Sequence, residues 1–335
     1  MTVLVTGGAG YIGSHTVRLL RERGRDVVVL DSLERGYRDA VDKEVNVVVG
    51  DITDERIVSR TCRRYGITEV IHFAAYKAVG ESMQRPLMYW RNNVAGSISL
   101  VESLLANDVG RIVFSSSAAV YGTPARTPVT EDEPLAPESV YADTKATIER
   151  FLASCSAIGL RSVSLRYFNA AGAHSSAEIG EDWSATQNLV PVVMKVLFGE
   201  QPKLSVFGND YPTPDGTCVR DYVHVEDLAA AHVDAIAGLR ARECRAYNVG
   251  IGRGFSVREV LAECERVVGR PIPAKVAPRR EGDPPELRSD PSRIMAELGW
   301  TPRHVTLAPM VESAWRWMQR HPSGYDDTGE ITTGS

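Results

Sequence analysis

The chain has 335 residues, of which 43% are hydrophobic and 24% charged, and its formal net charge is −5 at pH 7. This length and composition predict a globular protein with a large buried core, built as one large domain or two closely joined ones. The slightly acidic balance argues against a nucleic-acid-binding protein, because such proteins carry a strongly basic surface. Anionic ligands would therefore be bound by local Arg and Lys side chains and by helix N-termini.

The cysteines and the apolar segments bear on the cellular compartment and on metal binding. The five cysteines are an odd number, lie far apart and include no C-x-x-C pair. This spacing argues against a disulfide framework and against a zinc site, and it is typical of free thiols in a reducing compartment. No apolar run approaches the length of a membrane span. We expect a cytoplasmic protein that binds no metal and does not enter a membrane.

The first half of the chain alternates short β-branched runs with segments of helical periodicity. This alternation predicts an α/β fold with a doubly wound parallel sheet of the Rossmann type, whose strands are buried on both faces. The predicted strands are Thr2–Thr6, Asp26–Asp31, Val45–Val49, Glu69–Phe73, Arg111–Ser115 and Arg161–Arg166.

After about Asn169 the loops become longer and richer in Pro and Gly. Apolar residues at helical spacing still predict three helices in this part of the chain. The predicted helices are Asn188–Phe198, Val225–Leu239 and Ser256–Val268.

This change in loop length and composition after about Asn169 also predicts how the chain divides into domains. We expect the parallel-sheet domain over residues 1–178, a smaller mixed α/β lobe that binds substrate over residues 179–325, and a loose polar tail over residues 326–335. Two later segments, Val219–Val223 and Ala246–Gly250, are expected to return to the first domain.

Three glycines follow the first predicted strand. Gly7, Gly10 and Gly13 have the spacing G-x-x-G-x-x-G, and a helix starts near Tyr11. Glycine allows the dihedral angles of a tight turn and lets the backbone approach a pyrophosphate closely. The helix adds free N–H groups and the positive end of its dipole. The order of strand, turn and helix predicts a dinucleotide site, although a glycine pattern by itself is also common in structural turns.

Two carboxylates lie at the ends of the next strands. Asp31 ends the second predicted strand and suits the 2′- and 3′-hydroxyls of an unphosphorylated ribose, whereas it would repel a 2′-phosphate. The predicted cofactor is therefore NAD and not NADP, the alternative being that Asp31 is only a turn residue. Asp51 follows the third strand and could accept from the adenine amino group, but Asp is also a common turn former at such positions.

A Tyr-x-x-x-Lys pair, Tyr141 and Lys145, lies downstream of a run of three serines, Ser115–Ser117. The two side chains share one helical face, so an ammonium at Lys145 would favour the phenolate of Tyr141 by Coulomb attraction. Ser117 could bridge the phenolate and a substrate oxygen, although any member of the run could supply the hydroxyl. This set of residues predicts a general base for an alcohol whose carbon loses hydride.

Further segments carry distinctive strings: Val70–Ser82, Phe114–Gly122, Arg166–Asn169, Phe207–Pro212, Arg220–Val225 and Arg279–Asp283. With the glycine turn, these strings resemble the extended short-chain dehydrogenase/reductase family, and within it the epimerases that act on nucleotide sugars. The resemblance extends from about Val3 to Tyr325.

The resemblance implies NAD as cofactor, a UDP-sugar as substrate and a role for each matching position. Tyr141 would be the base and later the acid, Lys145 its electrostatic partner and Ser117 the contact to the substrate hydroxyl. The resemblance and the glycine turn together imply the following NAD-binding residues: Gly7, Gly10, Tyr11, Ile12, Gly13, Asp31, Asp51, Ile52, Phe73, Lys77, Asn93, Ser117, Tyr141, Lys145 and Phe168. The implied substrate-binding residues are Asn169, Asn188, Leu189, Phe207, Arg220, Arg280, Asp283 and Leu287.

The implied reaction interconverts UDP-galactose and UDP-glucose. Tyr141 would take the proton from the sugar 4-hydroxyl while hydride passes from C4 to NAD. The 4-keto sugar would then turn about its diphosphate and take the hydride back on its other face. Because no net oxidation occurs, NAD is expected to stay bound through turnover.

Four alternative functions must be compared with this reaction. Leu287 stands where some family members carry a bulky Tyr, which leaves room for a 4-epimerase acting mainly on UDP-N-acetylhexosamines, and one acting on UDP-glucuronic acid is also open. A 4,6-dehydratase needs proton-transferring side chains at the positions that Ala118 and Ala119 occupy, so dehydration is disfavoured. An NAD-binding sensor without activity would have little need of the Tyr141 and Lys145 pair.

The resemblance also implies a homodimer. The helices around Pro86–Leu105 and Tyr141–Ser156 would pair with those of a second copy in a four-helix interface. Some apolar residues of these helices could equally pack inward: Leu100, Leu104, Phe151 and Leu152.

Overall fold

The computed structural model describes residues 1–183, 186, 188–239, 244–280 and 282–325. The strands are β1 (Thr2–Thr6), β2 (Asp26–Asp31), β3 (Asn46–Val49), β4 (Ile67–His72), β5 (Arg111–Ser115), β6 (Arg161–Tyr167), β7 (Asn169–Ala171), β8 (Leu204–Phe207), β9 (Val219–His224), β10 (Cys244–Val249), β11 (Gly254–Ser256), β12 (Ala274–Ala277) and β13 (Glu286–Leu287). The helices are α1 (Tyr11–Glu22), α2 (Glu55–Tyr65), α3 (Val79–Gln84), α4 (Pro86–Tyr89), α5 (Gly96–Leu105), α6 (Val140–Ser154), α7 (Leu189–Leu197), α8 (Val225–Gly238), α9 (Val257–Val268), α10 (Ser292–Leu298) and α11 (Leu307–Arg320).

The centre of the molecule is a seven-stranded sheet in the order β10-β6-β5-β4-β1-β2-β3, with every neighbouring pair parallel. The six strands predicted in the first half all belong to it, and their ends differ from the prediction by at most two residues. The predicted doubly wound fold is therefore confirmed. The strand order reverses between β1 and β4, and ligands of such sheets bind outside the carboxyl ends of the strands at that point.

The β-branched runs form central strands because helices cover both faces of the sheet. In β1, Val3 and Val5 face a core that also contains residues of α1 and α8. Leu4 faces the opposite core, together with residues of α2, α5 and α6. All three side chains are fully buried. Burial of such a side chain contributes about 1.5–3 kcal/mol of hydrophobic stabilisation, which is why a run without alternation suits a strand covered on both sides.

The helices Leu189–Leu197, Val225–Gly238 and Val257–Val268 confirm the three predicted in the second half, with ends within one residue of the prediction. Val219–His224, which was predicted to return to the first domain, does not join the large sheet, although its Val223 packs in the core cluster that contains Val3 and Val5. This strand is the centre of a separate four-stranded sheet with β7, β11 and β13. Cys244–Val249 does return to the large sheet, where it is the edge strand beside β6.

The smaller lobe has its own core, in which α7, α9 and α11 pack around Trp317 and Met194. The five cysteines are free thiols, and four of them are buried. In the part of the chain that the structure describes, no helix has both the length and the apolar character to cross a bilayer. The tail predicted over residues 326–335 lies outside the described residues.

Candidate active site

A cavity of about 600 Å³ opens at the carboxyl ends of β1, β2 and β4, where the strand order reverses. This volume is within the range of sites for small molecules and cofactors. Twelve of the predicted cofactor residues line it: Gly7, Gly10, Tyr11, Ile12, Gly13, Asp31, Asp51, Ile52, Phe73, Lys77, Tyr141 and Lys145.

The glycine turn is tightly packed at two of its three glycines. Gly7 has a φ of +70°, and a Cβ there would lie 2.6 Å from the backbone nitrogen of Ala74. A Cβ on Gly13 would lie 2.3 Å from the carbonyl oxygen of Gly7. A Cβ on Gly10 would stay 3.4 Å from that same oxygen. The turn itself therefore requires glycine at positions 7 and 13, while the bare backbone at Gly10 leaves room for a ligand.

The N-terminus of α1 supplies the polar groups of this end of the cavity. Gly10 caps the helix and has no side chain to occupy the free N–H groups of the first turn, at Tyr11, Ile12 and Gly13. These groups and the positive end of the helix dipole favour an anion. The cradle fits the pyrophosphate of a dinucleotide.

The two strand-end carboxylates both organise turns and line the cavity. Asp31 is buried and accepts hydrogen bonds of 2.9 Å from the backbone N–H groups of Ala9 and Leu33. Burial raises the pKa of Asp31, although these two hydrogen bonds oppose the shift. Asp51 is exposed and accepts from the backbone N–H and the hydroxyl of Thr53, each at 2.7 Å. Each carboxylate therefore stabilises a turn and can also contact a ligand in the cavity.

Tyr141 and Lys145 lie in the first turns of α6, which Ser139 caps with its hydroxyl. Both are almost fully buried, with 6% and 3% of their surface exposed. The ammonium of Lys145 donates a 2.7 Å hydrogen bond to the carbonyl of Ser115 and lies 4.7 Å from the ring centre of Phe114. Its distance to the ring centre of Tyr141 is 5.9 Å. The pair therefore forms one rigid unit at the end of β5.

Burial shifts the pKa values of these two groups in opposite directions. It raises the pKa of Tyr141 far above the usual range, and Tyr167 adds to this effect while the side chain of Ser117 opposes it. Burial lowers the pKa of Lys145 to about 7, against the attraction of Glu149. A phenolate at Tyr141 therefore needs positive charge close by, which the Lys145 ammonium and an oxidised nicotinamide would provide.

The three serines have different environments. The carbonyl of Ser115 accepts from the Lys145 ammonium, as described above, and Ser115 lines the cavity. Ser116 is fully buried, and its hydroxyl donates to the carboxylate of Glu149. Ser117 is half-buried, and its side chain interacts with Tyr141. The hydroxyl of Ser116 is committed to Glu149, and the side chain of Ser115 interacts with Tyr167. Because the side chain of Ser117 interacts with Tyr141 itself, Ser117 is favoured as the substrate contact.

Three predicted cofactor residues do not line the cavity: Asn93, Ser117 and Phe168. Asn93 is buried behind it, where its side chain accepts from the backbone N–H of Tyr76 at 2.9 Å and donates to the Tyr76 carbonyl at 3.1 Å. Phe168 is buried in a small apolar cluster with Val120 and Ala146. In this arrangement Asn93 fixes the cavity wall next to Lys77.

Sequence reasoning missed a group of cavity residues that come from distant parts of the chain. Tyr167 follows Arg166 in a matching string and interacts with Tyr141. Glu181 is buried and pairs with Lys77, its carboxylate lying 3.2 Å from the ammonium. Tyr325 also lines the cavity, and its hydroxyl donates to the carbonyl of Gly180 at 2.9 Å. The position of Tyr167 in the Arg166–Asn169 string was the one signal that could have identified it.

The predicted substrate residues lie in the smaller lobe. The guanidinium of Arg220 lies 3.3 Å from the carboxylate of Asp283. The guanidinium of Arg280 lies 4.0 Å from the ring centre of Phe207. Leu287 is opposite Arg220 in the parallel pairing of β13 with β9. The four-stranded sheet thus brings Arg220 and Leu287 together. Phe207 ends β8, which pairs with β12 in a separate two-stranded sheet, and Arg280 follows β12 in the chain.

The other three predicted substrate residues lie at the start of elements in the same lobe. Asn188 stands at the N-cap position of α7 without a capping hydrogen bond, and its side-chain amide donates to Glu181 at 2.7 Å. Leu189 is the first residue of that helix, and Asn169 is the first residue of β7. Through Glu181, Asn188 connects this lobe to Lys77 of the cofactor cavity.

A separate group of donors lies away from the cofactor cavity. His224, Glu226 and His304 have ligand atoms within 4.8 Å of one another, the arrangement of a possible metal site. However, Nδ1 of His224 accepts from the backbone N–H of Glu226 at 3.1 Å, so its lone pair caps α8. The rings of His224 and His304 are stacked with centres 4.1 Å apart, which does not direct their nitrogens to one point. The group fits a helix cap better than a metal centre.

Comparison with known proteins gives a consistent result. Residues 3–250 match the NAD dependent epimerase/dehydratase family. The UDP-glucose 4-epimerase of Halalkalibacterium halodurans is 47% identical over 327 residues, which cover 97% of this chain and 98% of the relative.

Solved structures agree in fold over nearly the whole chain. The UDP-glucose 4-epimerase from Stenotrophomonas maltophila, with bound NAD and formylated UDP-arabinopyranose, is 41% identical with a TM-score of 0.93 and covers 96% of this chain and 99% of its own. The enzyme from Bifidobacterium longum, in complex with NAD+ and UDP, is 40% identical with a TM-score of 0.92 and covers 97% of this chain and 100% of its own. This chain therefore belongs to the NAD dependent epimerase/dehydratase family.

Proposed function

We propose that this protein is an NAD-dependent isomerase that interconverts UDP-galactose and UDP-glucose at C4 of the hexose. The observation that carries the proposal is the buried pair of Tyr141 and Lys145 at the end of a cavity that begins at the glycine turn. A sensor without activity would not need a buried phenol beside a buried ammonium. The relatives named above, which are UDP-glucose 4-epimerases over nearly the full chain, support the same reaction.

The residues of the cavity divide the binding of NAD among them. The first N–H groups of α1 would hold the pyrophosphate, and Asp31 would accept from the adenosine ribose hydroxyls. Lys77 and Lys145 would contact the nicotinamide half of the cofactor. When bound, NAD supplies an acceptor and donor of hydride.

The chain's own residues would handle the proton. Tyr141 takes the proton of the sugar 4-hydroxyl and later returns it, and Lys145 stabilises the phenolate in between. Ser117 orients the hydroxyl toward the phenolate. Two arginines, Arg220 and Arg280, would bind the diphosphate with charge-assisted hydrogen bonds, and Asp283 suits the uridine ribose. The UDP is thus held firmly while the hexose stays free to present either face.

The direct test is to incubate the purified protein with UDP-galactose and no added nicotinamide, and to follow the sugars by proton NMR. Conversion to UDP-glucose is the expected result, because no net oxidation occurs and bound NAD is regenerated. No conversion, even with NAD supplied, would contradict the proposal. UDP-N-acetylgalactosamine and UDP-glucuronic acid should then be tested, since Leu287 leaves more space near C2 than the Tyr of some relatives would.

Removal of the Arg220 guanidinium should weaken substrate binding and leave the cofactor in place. In Arg220→Met we expect KM for the UDP-sugar to rise by about 10- to 100-fold, because a charge-assisted contact is lost and Asp283 is left without its partner. Steady-state kinetics and the NAD content of the purified protein measure the two effects. Arg266→Met, which removes an exposed ion pair with Glu263, is the matched control. An unchanged KM would remove Arg220 from the proposed site.

We also propose that the protein is a cytoplasmic homodimer. Leu100, Leu104 and Leu152 are buried within the protomer, so they are not available to a partner. The exposed apolar side chains nearby are Met83 and Leu87, with 58% and 71% of their surface exposed. Apolar exposure of this kind is typical of interaction surfaces when it is contiguous. Analytical ultracentrifugation tests the dimer, and a monomer at micromolar concentration would contradict it.

A further inference from the structure

A second charged pair is buried directly behind Tyr141 and Lys145. Glu149 lies one turn beyond Lys145 on α6, and its carboxylate accepts three hydrogen bonds from the Arg166 guanidinium, at 3.1, 3.0 and 2.6 Å. Both side chains are almost fully buried, with 6% and 8% exposed. Two charges at such depth are costly unless they are paired, so the position of each is fixed by the other.

Two side chains of α6, Glu149 and Lys145, hold the serine turn Ser115–Ser117. The Glu149 carboxylate accepts from the hydroxyl of Ser116, while the neighbouring Ser115 carbonyl accepts from the Lys145 ammonium. The serine turn that ends at Ser117 is therefore attached to α6 on both sides. Glu149 also attracts the Lys145 ammonium through the low-dielectric interior.

Of the two charges of this ion pair, that of Glu149 attracts Lys145. Among the residues that the structure describes, the ion-pair partner of Glu149 is Arg166 and not Lys145. The Arg166 guanidinium also donates to the hydroxyl of Tyr121 at 2.9 Å. Glu149 raises the pKa of Lys145 against the larger effect of burial.

Three other titratable groups interact with Lys145, namely Tyr141 and two histidines. Burial raises the pKa of Tyr141 on the same helix, so its phenolate forms only where the Lys145 ammonium and an oxidised nicotinamide stabilise it. His72 on β4 and His232 on α8 have pKa values lowered by burial to about 3 and about 4, so both are neutral near pH 7. Among these groups, Glu149 is the one carboxylate that favours the ammonium.

We propose that Glu149, held by Arg166, is a positioning residue of the reaction: it keeps Lys145 in its ammonium form and fixes the serine turn against α6. Glu149 touches neither substrate nor cofactor, and it acts through Lys145 and Ser116. The inference rests on the proposed function, since it assigns a role within the same site.

Glu149→Gln removes the charge and keeps the shape of the side chain. The pKa of Lys145 should then fall further, so the ammonium is lost at a lower pH than in the wild type. We expect kcat to be nearly unchanged at pH 5, where both proteins hold the ammonium, and to be reduced about tenfold at pH 8, as a pKa lowered by about one unit implies. A role in folding alone would instead lower kcat by the same factor at every pH.

A readout without turnover separates this inference from the proposed function. In protein labelled with ¹³C at lysine Cε, NMR titration follows Lys145, and Lys145→Arg assigns its signal. The titration midpoint of Lys145 should move down by about one pH unit in Glu149→Gln. If the wild type converts no UDP-galactose, the proposed function fails while this titration still tests the effect of Glu149. An unshifted midpoint, or pH profiles that run parallel, would overturn the inference.

Two further variants deal with folding and with the charge left on Arg166. Glu149→Gln/Arg166→Gln removes both charges, and we expect a smaller shift in the same direction because the negative end of the pair is gone. Full recovery of the wild-type profile in this double variant would overturn the inference, since the shift would then come from the unpaired guanidinium. Glu69→Gln is the matched control, because Glu69 is equally buried and is paired with Arg25 and Arg111 at the other end of the sheet. Glu69→Gln should lower the melting temperature without changing the dependence of kcat on pH.

Discussion

Replacing Tyr141 by Phe is expected to lower kcat for UDP-galactose conversion by about three orders of magnitude, because positioned proton transfer contributes about 10²- to 10⁴-fold. Burial raises the pKa of the neighbouring Tyr167 as well, but the ammonium that acts on Tyr167 is that of Lys77 and not that of Lys145. NAD content should stay near that of the wild type, since the ring that lines the cavity remains. KM should change little, because the hydroxyl is needed for proton transfer more than for substrate binding.

The measurement is kcat by proton NMR, with the NAD content and the melting temperature determined on the same samples. Tyr247→Phe is the matched control, because Tyr247 is also fully buried and its hydroxyl donates to Glu297 at 2.8 Å, away from the cavity. This control should lose about 1 kcal/mol of stability and keep its kcat. A kcat for Tyr141→Phe within tenfold of the wild type would mean that another residue is the base.

The fold was predictable where local pattern and burial agree. The run Val3–Val5 is apolar without alternation, and a strand covered on both faces is the one structure that buries it completely. Val219–His224 has a similar β-branched character, yet it lies in the small sheet. Its partners β7, β11 and β13 are short and distant in sequence, so no local pattern could identify them. Strand formation was therefore predictable, but the choice of sheet was not.

In the candidate site, too, some residues could be predicted from local sequence and others could not. Gly7, Gly10, Gly13, Asp31 and the Tyr141 pair sit at strand ends or helix starts, which a parallel sheet must bring to one edge. Glu181 and Tyr325 reach the cavity from loops, whose paths depend on tertiary packing. Glu149 was hidden because an acidic residue in a helix is ordinarily solvent-exposed. Only the folded structure brings Arg166 beside it, and that pairing allows the carboxylate to be buried.

Replacing Gly13 in the glycine turn by Ala is expected to cause a large loss of bound NAD and of activity. In Gly13→Ala, the new Cβ would lie 2.3 Å from the carbonyl oxygen of Gly7, so the turn or the start of α1 must move by about 1 Å to restore normal contact. The N–H groups that would hold the pyrophosphate move with the helix. A displacement of this size can cost about 100-fold in rate, and overpacking adds about 1–3 kcal/mol of instability. We expect the purified variant to retain less than about a tenth of the wild-type NAD and activity.

The NAD content is measured from the nucleotide released on denaturation, and activity is assayed with and without added NAD. Gly80→Ala is the matched control, since no atom lies within 4 Å of a Cβ at that exposed position of α3 and Ala is the better helix former. Recovery of Gly13→Ala at millimolar NAD would assign its loss to affinity, which is the result expected if the turn holds the pyrophosphate. Wild-type NAD content in Gly13→Ala would show that the backbone relaxes without moving the N–H groups. The glycine spacing would then matter for folding of the turn and not for the cofactor.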